Sequence, residues 1–115
     1  MANTFKVVTK AGVTSADVIY TVASSTTTVI LGLVLGNTTA RQITTTVSLA
    51  TDTSNRAGAN NESNQTVELV TNAPIPAGSS LEMLAGNKVV METTDALSVT
   101  SSGSTDVCLS IMEIT

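Results

Sequence analysis

Few residues in this chain could do chemistry, and histidine is absent from all 115 of them. Its absence removes the commonest general base, the Ser-His and Cys-His nucleophile pairs and the usual zinc and iron ligands. The single cysteine, Cys108, lies among Val107, Leu109 and Ile111 in a strand-like stretch. With no histidine to activate it, its thiol is expected to be a small buried hydrophobe. Five carboxylates (Glu68, Glu82, Glu92, Asp95, Asp106) would have to converge to serve a hydrolase, and their spacing singles out no pair. They are expected at solvated strand edges. Asp52, Asn55, Asn60 and Glu62 supply hard oxygen ligands but match no calcium-loop spacing. Neither GxGxxG nor GxxxxGK[ST] occurs. The sequence thus predicts no enzyme and no catalytic, cofactor or metal site.

Binding chemistry is narrowed in the same way. The net charge is −4 and the pI near 4.4, with Lys6, Lys10, Arg41, Arg56 and Lys88 scattered along the chain. No basic stripe exists for a nucleic acid backbone, so no nucleic acid partner is expected. Sugar recognition usually needs an aromatic platform, and Phe5 and Tyr20 are the only aromatics. Both sit in apolar strand patterns and are expected in the core. Met1 to Thr4 shows no signal-peptide pattern, and the longest apolar run, Val29 to Leu35, is too short to span a bilayer as a helix. The expectation is synthesis in the cytoplasm without membrane insertion. Charged residues make up 12% of the chain and mean hydropathy is +0.30, which points to an outer surface partly covered by partner chains.

The elements behind these residues read as strands. Thr, Ser, Val, Ile and Leu dominate, and β-branched residues suit a pleated, half-buried surface. The pattern predicts an all-β, single-domain antiparallel β-sandwich, jelly-roll-like, of about eight short strands over residues 1–115. Thr4 to Thr9 is followed by a turn at Ala11-Gly12 and by Asp17 to Val22, with Val18, Tyr20 and Val22 on one face. Val29 to Leu35 reads as a central strand covered on both faces, with Gly32 marking a bulge or close approach and Gly36-Asn37 a turn. Gln42 to Ala50 alternates, with Ile43, Thr45, Val47 and Leu49 on one side. Residues 51–65 form a polar loop. Thr66 to Thr71 is a strand with Val67 and Leu69 inward, ended by Pro74 and Pro76. Short strands follow at Ser80–Leu84, Lys88–Glu92 and Leu97–Thr100. The last, Asp106 to Ile114, is apolar on both faces and expected to be covered on both, by its own sheets or by another subunit.

Four segments in order, Thr27 to Thr38 (TTVILGLVLGNT), Ile75 to Glu82 (IPAGSSLE), Asn87 to Glu92 (NKVVME) and Leu97 to Ser101 (LSVTS), resemble small β-sandwich virion proteins of tailed bacteriophages, particularly marine and cyanobacterial phages. The resemblance implies a non-enzymatic virion component made in a bacterial host, most simply a decoration or cement protein that stabilises the capsid. A tail, neck, baseplate or fibre module is the alternative, and a lectin-like ligand-binding module a second one. The expected partners are further copies of the chain, as a trimer or larger, and a phage capsid or tail protein. The loop residues Asn55, Arg56, Asn60, Asn61 and Glu62 are the candidate partner contacts, together with exposed strand edges.

Overall fold

A computed structural model describes residues 2–51, 64–83 and 88–115. Nine strands follow one another without a helix among these residues: β1 (Asn3–Val13), β2 (Ala16–Thr21), β3 (Thr27–Asn37), β4 (Ile43–Ala50), β5 (Thr66–Ile75), β6 (Ser80–Met83), β7 (Val89–Met91), β8 (Ala96–Ser101) and β9 (Thr105–Ile114). Sheet A has the order β1-β9-β3-β6, with β7 also on β3, and sheet B the order β2-β8-β4-β5. Every described pairing is antiparallel. β6 pairs with Leu33–Gly36 and β7 with Thr28–Ile30, so the two lie end to end along one edge of β3. Together they fill one strand position. The nine segments therefore occupy eight places, two sheets of four, in the order of a jelly roll.

The core lies between the sheets and is aliphatic. Ile30, Leu33 and Leu35 from β3 and Val107, Leu109 and Ile111 from β9 meet Ile43, Val47 and Leu49 from β4 and Leu97 and Val99 from β8. Alternation in β4 places Ile43, Thr45, Val47 and Leu49 inward, as expected. Thr45 is fully buried, and its hydroxyl has no hydrogen-bond partner among the described residues. A buried, unpaired hydroxyl is costly. Thr45→Val is therefore expected to stabilise the fold by about 1 kcal/mol, read as a higher denaturant midpoint at unchanged slope.

Bulges decide which side chains point where. In β3 the register slips between Ile30 and Gly32, with Leu31 as the extra residue. Burial switches there from Thr28 and Ile30 to Leu33, Leu35 and Asn37, so one apolar run serves one inner face despite its broken period. The opposite side of β3 is not covered: Val34 is exposed, and Val29 and Leu31 are only half-buried. On β9 the chain's own sheets cover one face alone: Ser110 is exposed, and so, contrary to the expected burial, is Cys108. Ala11-Gly12 is no turn but a bulge inside β1, with Gly12 at φ 68° donating its N–H to Asp106 Oδ1 at 2.9 Å. In β2 a slip between Val18 and Tyr20 leaves Val18 exposed while Val22 is buried.

β5 runs through Pro74 to Ile75, past the expected stop. It is the outer strand of sheet B, so a proline that cannot donate is tolerated there. Val67 pairs with inward Leu49 but is exposed on this outer strand, and Leu69 and Val70, at the two slips against β4, are half-buried. Gly36-Asn37 closes β3 instead of turning the chain.

Candidate interaction surface

The register of sheet A builds a row of side chains on its outer face. Phe5 pairs with Met112, Met112 with Val29, and Val29 with Val90, so four strands contribute one apolar residue each. Phe5 is 71% exposed and Val90 54%. Phe5 therefore sits on the surface and not in the core. Beside this row lie Val7, Ser110 and Gly32, then Thr9, Cys108, Val34 and Glu82. The small residues of the last two rows leave two hollows, of about 380 Å³ and 250 Å³, which share Val34 and Cys108. Among the outward positions of these strands the charged groups are Asp106 and Glu82, with no lysine or arginine.

The other outer face has different chemistry. On sheet B the outward positions are Thr44, Thr46, Ser48 and Ala50 on β4 and Ala96, Ser98 and Thr100 on β8, a small hydroxyl-rich carpet. One sandwich thus carries an apolar face and a polar face back to back. The difference comes from alternation: β1, β3, β7 and β9 of sheet A put apolar residues on both sides, whereas β4 and β8 alternate aliphatic with Thr, Ser or Ala.

A polar clamp holds the two sheets together where β1 and β2 approach. The Tyr20 hydroxyl donates to Glu113 Oε2 at 2.5 Å and lies 2.8 Å from Thr28 Oγ1. Glu113 Oε1 accepts from Lys6 Nζ at 2.7 Å, and Lys10 Nζ lies 3.4 Å from Asp17 Oδ2. The Lys6 ammonium, and then the Tyr20 hydroxyl, hold the Glu113 carboxyl below its ordinary value. Burial, and then the bond to Glu113, push the Tyr20 hydroxyl up from 10.0 to about 12. A lowered carboxylate value gives stabilisation that is complete above the ordinary carboxylate range and lost as pH falls through the folded value. A raised phenol value gives stabilisation that is complete below pH 10 and lost as pH rises toward about 12. Thermal unfolding across pH is therefore expected to show a fall at both ends. Tyr20→Phe should flatten the alkaline fall, and Glu113→Gln the acid one.

The residues singled out by chemistry do not form a site. Asp52, Asn55, Arg56, Asn60, Asn61 and Glu62 lie outside the described residues. Glu68 is on β5, where the Thr71 hydroxyl donates to it, and Glu82 and Asp106 are on the outer face of sheet A. Asp95, contrary to the expectation of a solvated edge, is fully buried. Its Oδ2 accepts from the Glu92 N–H at 3.0 Å, and its backbone N–H and C=O bond to the Glu92 carbonyl and the Val22 N–H. It shapes the turn between β7 and β8. Among the described residues no three His, Cys, Asp or Glu side chains come together as a metal-holding group.

No family model matches this chain, and no curated protein does. Two solved structures are similar to it in fold. One, from work titled "Bacillus endospore appendages form a novel family of disulfide-linked pili", is 13% identical at a TM-score of 0.42, over 96% of this chain and 85% of that one. The other, from the T13 IBDV viral particle, is 9% identical at a TM-score of 0.49, and this chain spans 35% of its length while 96% of this chain is covered.

Proposed function

We propose that this chain is a non-enzymatic structural protein of a virion, a decoration or cement protein that lies on the capsid of a phage head and stabilises it. The observation that carries the proposal is the apolar outer face of sheet A, with Phe5, Met112, Val29 and Val90 in one row. A face of this kind is poorly suited to water and well suited to a partner protein surface. The charged side chains at the outward strand positions of this face are the carboxylates Asp106 and Glu82, which favours a shell surface with basic groups opposite. The hydroxyl-rich face of sheet B then faces solvent. The sequence resemblance to phage virion proteins supports the same reading, and self-association belongs with it.

Fractionation of purified particles tests it. Mass spectrometry of the head fraction and imaging of intact particles are expected to show the protein in hundreds of copies on the shell. Recovery in the tail fraction alone would move it to the tail, neck, baseplate or fibres. Phe5→Asp is expected to weaken binding to stripped heads by about 10- to 100-fold, because an exposed aromatic that becomes buried contributes about 1.5–3 kcal/mol. It should leave thermal stability unchanged.

A further inference from the structure

The four sheet edges are not equally protected. β5 is broken by two bulges and carries Pro74 and a left-handed Asn72, at φ 49°. β2 has six residues with a slip in the middle, and the β6–β7 edge is split into pieces of four and three. β1 differs. It pairs with β9 without irregularity from Asn3 to Lys10, and no strand among the described residues covers its other edge. Long regular edges are templates for another strand, and proteins normally blunt them.

The hydrogen-bond phase of this edge follows from its first rung. Ala2 and Thr115 exchange both backbone bonds, at 3.0 and 2.9 Å. Antiparallel pairs alternate, so Thr4, Lys6, Val8 and Lys10 bond to β9 while Asn3, Phe5, Val7 and Thr9 turn their N–H and C=O groups away. Those groups form an open, evenly spaced ladder.

We propose that two copies of this chain pair through β1, antiparallel across a twofold axis, joining their A sheets into one continuous sheet. This rests on the reading of the chain as a self-associating structural protein and specifies its contact. Charge selects the register. With Val7 opposite its own copy, Phe5 opposes Thr9, Lys6 opposes Val8, and Lys10 opposes Thr4. The outward groups of Val7, Phe5 and Thr9 then exchange bonds in reciprocal pairs. A shift of one hydrogen-bonding step sets Lys6 opposite Lys6, and a shift the other way sets Lys6 opposite Lys10. Like charges directly across a rung are unfavourable, so both neighbouring registers are rejected. The twofold axis is perpendicular to the sheet, so both apolar faces point the same way and double the docking area.

Two kinds of variant test this on the full chain. Val7→Pro removes an N–H that β9 does not use, and Val7→Lys keeps the N–H but sets two lysines across the axis. Both are expected to halve the copy number of the wild-type assembly in sedimentation while circular dichroism remains that of the folded protein. In a Cys108→Ser background, Val7→Cys is expected to form a covalent dimer on mild oxidation, since paired Cα atoms in such a rung lie about 5.5 Å apart. Phe5→Cys alone should not, and Phe5→Cys with Thr9→Cys should. Wild-type sedimentation of both Val7 variants, or cross-linking by Phe5→Cys alone, would overturn the β1 contact and leave self-association intact. A wild-type chain that is monomeric at high concentration would overturn it too, whereas the virion reading stands or falls on the particle inventory.

Discussion

Asn37→Ala is expected to cost about 3 kcal/mol, a large loss for one polar side chain. Asn37 is buried at the end of β3, and its Nδ2 donates to the carbonyls of Arg41, Ile75 and Pro76 at 2.8, 2.9 and 3.1 Å. Its Oδ1 accepts from the N–H and hydroxyl of Thr39, at 2.8 and 2.7 Å. Its own N–H donates to the Ser79 carbonyl. One amide therefore ties the β3–β4 loop to the turn between β5 and β6. Alanine would leave three carbonyls and an N–H without this partner. Asn37→Asp should be worse at neutral pH, because it sets a carboxylate against three carbonyl oxygens. Part of that extra loss should return in acid as the carboxyl is protonated. Urea unfolding of the three proteins at pH 7 and in acid checks both statements, and an alanine variant within 0.5 kcal/mol of wild type would refute the first.

The second large effect lies in β9, where one residue step changes everything. Leu109 is fully buried, between Val8 of β1 and Leu33 of β3 in the register of sheet A. Leu109→Ala is expected to cost about 3–4 kcal/mol, the lost transfer energy plus that of a cavity in a sheet that cannot collapse around it. Cys108→Ala, next to it, should change stability by less than about 0.5 kcal/mol, because its side chain stands on the outer face. In the native protein Cys108 should also react stoichiometrically with a thiol reagent. A protected Cys108 in the isolated chain would mean that the outer face is already covered, which sedimentation would show as an assembly.

The contrast between neighbours shows what a single sequence can and cannot express. Alternation in β4 placed Ile43, Thr45, Val47 and Leu49 on one face, and the structure buries all four. Gly32 marked a bulge in β3, and the register slips there. Both signals are local, since period and a missing Cβ act within a few residues. The misplacements share a different cause. Pro74 reads as a strand end unless its strand is known to be an outer one. Asn37 reads as a turn residue because its five side-chain partners include carbonyls 38 and 39 positions away. Phe5 reads as core because aromatic strand residues usually are, and only the register of β1 on β9 shows that it stands on the outer face of sheet A. The loop expected to carry the partner contacts, around Asn55 to Glu62, lies outside the described residues, and the apolar face is built by four strands and displayed by no single segment.

The sequence by itself determined two things: that this chain is a β protein, through its alternating β-branched residues, and that histidine chemistry is outside its reach. Tertiary structure decided which apolar residues would be inside. β3 and β9 are aliphatic on both sides, so their period says which residues share a face but not which face meets the opposite sheet. Closure of sheet A on sheet B made that choice, burying Leu33, Leu35, Leu109 and Ile111 and leaving Val29, Val34 and Met112 on the other side with Phe5. The outer apolar face, and the open edge of β1 beside it, exist only because the strands are ordered as they are.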